Sequence, residues 1–196
     1  MKRLAVLASV MLLLAGCASQ PGPAKQLAGS LAPRAGKAYA VVSLGDGSAQ
    51  PGSTYLNARY SADKAPDGMA WELGHTLQTA LANDRIGSGE QAVPGRVFLL
   101  ELEPGQYRFS EANRNWPDPA GREPFSQANR LPMQHSFELQ PGDAVYLGEI
   151  RIQAGNPPQL SIVDSHERDY RHISKEWKIN DLSPLKVKLL QADSNK

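Results

Sequence analysis

Short apolar runs, several of them alternating with polar residues at a period of two, recur from Tyr39 onward and are closed by Pro, Gly, Asn and Asp. That pattern predicts strands and tight turns. Tyr39 to Leu44 is β-branched and aromatic and stops at Gly45-Asp46-Gly47. Thr54 to Tyr60 reads as a second strand. Gly68 to Asn83 fits two templates: Leu73, Leu77 and Leu81 suit a helix, whereas Trp71, Leu73, His75 and Leu77 alternate like a strand. Asp84 to Gly95 reads as a loop. Arg96 to Leu102 and Gln106 to Phe109 are strands on either side of Pro104-Gly105. Pro fixes φ and Gly accepts φ > 0, so this pair fits the centre of a type II turn.

The same unit returns further along. Ser136 to Leu139 meets Gln140-Pro141-Gly142, and Asp143 to Ile152 follows. Alternation slips at Gly148, which predicts a β-bulge there. Gln159 to Val163 is one more strand. Asp164, with Glu167 three residues on, predicts a helix start, and Tyr170, Ile173 and Trp177 then share one helix face. Leu185, Val187 and Leu189 alternate as in a last strand, although Pro184 could open a helix instead. With 17 Gly and 15 Pro in 196 residues, turns dominate, and some seven short strands predict a β-sandwich with one C-terminal helix.

The N-terminus follows a different pattern. Lys2-Arg3 precedes an almost wholly apolar run from Leu4 to Leu14, too short to span a bilayer, and small residues follow. This is the layout of a secretory signal. Leu14-Ala15-Gly16-Cys17 resembles the lipobox of bacterial lipoproteins, and Cys17 is the only cysteine of the chain. The resemblance implies cleavage before Cys17 and attachment of diacylglycerol and palmitate to it. Ala18 after the cysteine implies the outer membrane, with the protein most simply facing the periplasm. Several acyl chains, at about 0.8 kcal/mol per CH₂, make such an anchor effectively permanent. The expected organisation is a signal at 1–16, a lipidated cysteine and flexible linker at 17–36, and a single sandwich domain at 37–192. Ala18 to Gly36 is rich in Pro, Gly, Ala and Ser; as a coil it would reach about 25 Å.

Charge narrows the partners. The chain carries 21 basic and 20 acidic residues, and losing Lys2 and Arg3 with the signal turns a balance of +1 into −1. Bulk charge favours neither nucleic acid nor an anionic surface. With Cys17 lipidated, no disulfide staples the domain and no thiol is left to act as a nucleophile.

The two Leu-x-Pro-Gly units, the strand after them and the Asp-led helix resemble a broad group of bacterial outer-membrane lipoproteins whose activity is uncharacterised. Those are similar to immunoglobulin-like and transthyretin-like sandwiches. The resemblance spans about residues 97 to 190 and implies a fold; it supplies no catalytic residue and no cofactor.

Candidate chemistry is sparse. His166-Glu167-Arg168-Asp169-Tyr170-Arg171-His172 invites comparison with the His-Glu-x-x-His zinc motif. Its histidines are six apart, about 120° around a helix, so a site of His166, Asp169 and His172 is only a weak candidate beside a solvated helix face. His75 and His135 are isolated. No Gly-x-Ser-x-Gly occurs, and Gly45-Asp46-Gly47 and Gly87-Ser88-Gly89 do not extend into phosphate-binding patterns. Glu101, Glu103, Glu138 and Glu149 could supply paired carboxylates, but sequence does not pair them. The better lead is the stretch 111–132, longer than the 2–5 residues of ordinary hairpin loops. It holds Arg114, Trp116, Arg122, Phe125 and Arg130, the composition of an interaction surface or of a platform for sugar rings. The expectation is therefore a non-catalytic interaction or structural module of the cell envelope. The alternatives are a glycan- or ligand-binding module and, third, an enzyme without a recognisable motif.

Overall fold

A computed structural model describes residues 27, 29–47, 55–63, 75–89, 92–116, 127–153, 155 and 157–193. The strands are β1 (Ala38–Asp46), β2 (Tyr55–Ala62), β3 (His75–Ala80), β4 (Arg85–Ile86), β5 (Val93–Leu102), β6 (Gly105–Trp116), β7 (Gln127–Leu139), β8 (Ala144–Gln153), β9 (Gln159–Val163), β10 (Leu185–Val187) and β11 (Gln191–Ala192). One helix, α1 (His166–Glu176), falls between β9 and β10. The described residues form a mainly-β sandwich with one helix, as the sequence predicts.

Sheet one runs β10-β8-β1-β5-β4, with β9 also on β8. Sheet two runs β11-β7-β6-β2-β3. β1 and β8 pair in parallel, as do β8 and β10; the other pairings are antiparallel. Both Leu-x-Pro-Gly units carry the chain between sheets, the first from β5 to β6 and the second from β7 to β8. The first does not form the expected type II turn: Gly105 has φ +155° and already belongs to β6. The second closes as expected: Gly142 has φ +82°, and Asp143 N–H donates to the Gln140 carbonyl at 3.0 Å. Gly148 has φ +98°. Val41 pairs with Tyr146 and Ser43 with Glu149, so Leu147 and Gly148 together face one residue of β1. This is the predicted bulge, and it turns Glu149 onto the face that carries α1.

β1 is buried along its whole length because both of its faces are covered. Ala38, Ala40, Val42 and Leu44 join the core between the sheets. There Tyr60, Phe109, Phe137 and Tyr107 stack with ring centroids 5.3–5.9 Å apart. Tyr39 and Val41 enter a second core under α1, with Tyr146, Ile173, Ile179 and Leu185.

The structure revises four further local expectations. Ordered packing begins before residue 37: Leu31 is fully buried, and Ser30 bridges Asp181. The apolar Leu31 has a core position to fill, so the 17–36 linker ends earlier than its composition suggests. Within 84–95, expected as a loop, β4 and the start of β5 pair antiparallel. Residues 75–80 form a strand, settling the ambiguity for that part of 68–83. The helix is capped by Ser165 rather than Asp164, and without a side-chain cap bond. Ser165 Oγ donates instead to Glu149 at 2.7 Å, a charge-assisted bond that outcompetes a cap.

Candidate functional site

α1 lies on sheet one through its apolar face, and that face also carries a charge. Asp169 is fully buried, between Tyr170 and the Glu149 side of the bulge. Its Oδ2 accepts from Ser43 Oγ at 2.6 Å and Tyr146 OH at 2.7 Å. Its Oδ1 accepts from Arg168 Nε at 2.8 Å and Nη2 at 2.7 Å. The same guanidinium reaches Glu149 Oε2 through Nη1 at 3.1 Å. Glu149 is 2% exposed and also takes Arg151 Nη2 at 2.6 Å. Two carboxylates and two guanidiniums thus neutralise each other under the helix, with three hydroxyls completing the shell. On the β1 side Gly45 makes room: a Cβ there would collide with Glu149 Oε1.

The electrostatics follow from that arrangement. Burial works to raise the Glu149 pKa, but the Arg151 hydrogen bond, the Arg168 charge and the Ser165 hydroxyl outweigh it and hold the carboxyl below its ordinary value. A general acid needs the opposite shift. The Tyr146 hydroxyl is pushed far up by burial and then by the Asp169 charge, so it stays a donor. Arg151 is raised by its hydrogen bond to Glu149. The network is chemically a latch: each ion is spent on another group of the chain.

Beside the latch, the last turns of α1, β4 and β5 enclose a cleft of about 600 Å³. Asn83, Asp84, Arg85, His172, Glu176 and Trp177 contribute to its wall. His172 Nδ1 accepts from Gly87 N–H at 3.2 Å, which leaves the proton of the neutral ring on Nε2. Burial first, then the Arg168 charge, lowers its pKa against the pull of Glu176 and Asp169. A smaller cleft of about 210 Å³ on the other side of His172 is bordered by Ser88, Arg171 and Lys175.

The residues expected from sequence scatter. His166 Nδ1 pairs with Asp164 at 2.7 Å, His172 is tied to Gly87, and Asp169 points into the latch. Among the described residues no group of three His, Cys, Asp or Glu is placed to hold a metal ion. The run 166–172 is not a solvated face either, because Asp169 has the apolar side's burial. The stretch 111–132 is mostly strand: β6 and β7 pair from Glu111–Pro132 out to Trp116–Gln127. Arg114 is not a loop residue. It is 1% exposed and bonds Asp46 at 3.0 Å between the sheets. Arg130 is exposed on β7 opposite Asn113. Arg122, Phe125 and the Trp116 side chain lie outside the described residues, as do Leu14, Ala15, Gly16 and Cys17. Of the four glutamates, Glu101 is near Arg34 at 3.8 Å, Glu103 pairs with Lys37 and Glu138 bonds Gln140 at 2.7 Å, all toward solvent. His75 is exposed and stacks on Tyr60 at 5.3 Å.

The latch escaped sequence reasoning because its members come from β1, β8 and α1. One signal was available. Glu149 sits next to a predicted bulge in an otherwise apolar strand, and an acid in that place needs a buried partner.

No family model matches the chain. No curated protein matches it either. Among solved structures it is similar to a leucine-rich repeat protein from Bacteroides thetaiotaomicron VPI-5482, at 13% identity and a TM-score of 0.33. The match covers 61% of this chain and 12% of that one, so the chain spans a small part of that protein's length.

Proposed function

We propose that this chain is a lipid-anchored, non-catalytic interaction module of a bacterial cell envelope, held to the outer membrane through Cys17 and facing the periplasm. The observation that carries the reading is Leu14-Ala15-Gly16-Cys17 at the end of a short apolar run, with no second cysteine to pair with. One feature supports the rest: the strongest charge cluster of the described residues is closed on itself. Among the described residues no helix is long and apolar enough to cross a membrane. The cleft beside Trp177 favours a second reading, binding of a small ligand or a glycan.

Metabolic labelling with a palmitate analogue, followed by membrane fractionation, tests the anchor. Wild type takes up label and sediments with outer membranes; Cys17→Ala loses both. Label-free wild type, or a Cys17→Ala chain still processed and still membrane-bound, overturns the reading.

A further inference from the structure

β5 has one partner from its third residue on and another for its first two. β1 pairs with it from Gly95 to Leu102. β4 pairs only with Val93 and Pro94. Among the described residues, no strand pairs with the other edge of β5 from Arg96 to Leu102. The large cleft lies along this edge. Five consecutive residues, Gly95 to Leu99, line it. Successive side chains of a strand point to opposite faces. Val97 and Leu99 belong to the core under α1, while Phe98 belongs with the core between the sheets. A space touched by residues of both faces lies off the strand's edge, where the unpaired backbone N–H and C=O groups point.

Such an edge is normally covered, charged or kept short. Here it is seven residues long, and α1 supplies a wall beside it through His172, Glu176 and Trp177. Gly95 secures the entrance: a Cβ there would sit 2.5 Å from the Leu44 carbonyl oxygen. The entrance carries both signs. Arg85 and Arg96 are exposed; Asp84, which accepts from Thr79 Oγ1 at 2.9 Å and Ala80 N–H at 2.8 Å, keeps its charge, and the exposed Glu176 also lines the cleft. Arg85 is bonded to the carbonyl oxygens of Leu81 and Asp84. Arg96 is held over the Phe98 ring, 5.6 Å from its centroid.

We propose that the cleft is a strand-addition site, in which an extended peptide segment of a partner protein pairs with the free edge of β5. Backbone hydrogen bonds provide the affinity, and alternate side chains the selectivity. At about 3.3 Å per residue, Gly95 to Leu99 offers room for some five partner residues. The partner carries an acidic residue where it meets Arg96 and an apolar one toward Trp177. The proposal rests on the interaction reading above and names the kind of partner.

The test uses full-length lipidated protein in detergent micelles and a displayed library of random twelve-residue peptides. Selected peptides are synthesised plain and with every second backbone amide N-methylated. The expected result has three parts. Extended peptides with an acidic residue are selected; they slow hydrogen exchange at the outward amides of 96–102; and N-methylation along one edge or Arg96→Glu weakens them at least tenfold. The proposal is overturned if no peptide is selected, if binding ignores N-methylation, or if exchange at 96–102 does not change. Full protection of those outward amides before any peptide is added also overturns it, because another part of the chain then occupies the edge. So does binding of soluble peptidoglycan fragments that is lost in Trp177→Ala, which makes the cleft a sugar site. Co-purification from native membranes separates the two claims. A partner retained equally by wild type and Arg96→Glu sinks the strand-addition site and leaves the interaction reading standing. A partner retained by neither, with peptide binding intact, sinks the interaction reading alone.

Discussion

The two faces of β1 solve the same problem in different ways. Toward sheet two, Ala38, Ala40, Val42 and Leu44 meet apolar and aromatic side chains. Toward α1, Tyr39 and Val41 begin the same way, but Ser43 and Gly45 bring the strand against Asp169 and Glu149. The first face is held by burial, which is strong and undirected. The second is held by a set of charge-assisted bonds that accept one placement of the helix. Replacing a buried ion network by well-packed apolar groups is often neutral in stability, whereas breaking one member is costly. The network therefore sets where α1 sits, and through α1 it sets the cleft along β5.

The largest effects separate the faces by their pH dependence. Phe109→Ala opens a cavity in the inter-sheet core, and a loss of about 3–5 kcal/mol in urea denaturation is expected at pH 5 and pH 8 alike. Asp169→Ala leaves Arg168, Ser43 and Tyr146 without their acceptor and is expected to cost about as much at pH 8. Its distinguishing readout is faster hydrogen exchange in α1, with the strands of sheet two unchanged.

A milder break comes from pH itself. His172 is held below 6.5 in the fold, so the unfolded chain binds the proton first. That contribution is complete above about pH 6.5 and fades as pH falls through the lower folded value. Glu149 is held below 4.5, so its contribution is complete above that value and fades as pH falls through the folded pKa. Thermal melts from pH 8 to pH 3 should show two successive losses of stability in wild type. His172→Gln should shrink the first, to which the burial-lowered His135 also contributes, and Glu149→Gln the second.

Smaller still, Gly45→Ala pushes on Glu149 and is expected to cost about 1–3 kcal/mol, partly relieved when Glu149 is replaced by Ala. Arg96→Ala removes a contact over Phe98 at an exposed site, worth about 0.5–1 kcal/mol. Near-wild-type melting of that variant shows that losses of peptide binding at Arg96 do not arise from unfolding.

What the sequence disclosed divides along the same line. Apolar and β-branched runs marked β1, β2, β5, β8 and β9, because each of the first four buries at least one face and β9 packs Leu160 and Ile162 against the core. The bulge at Gly148 and the turn at Pro141-Gly142 were legible because they depend on backbone chemistry carried by single residues. Long-range polar pairing left no local trace. Asp169 looked like one more charge on an exposed helix face until β1 and β8 supplied its partners. Arg114 looked like a loop arginine because the strands around it are polar on their outer side and Asp46 is far off in sequence. The cleft was invisible for a related reason: it depends on β4 ending after two residues, and length of pairing is a property of two strands.

A double-mutant cycle between Arg168→Met and Glu149→Gln, measured by urea denaturation at pH 7.5 and again at pH 3.5, tests the latch most directly. Directed charge pairing under α1 predicts a coupling of about 1–3 kcal/mol at pH 7.5 that shrinks toward zero as the carboxylate is protonated. A coupling below about 0.5 kcal/mol at pH 7.5 would contradict it and leave apolar packing alone to place the helix.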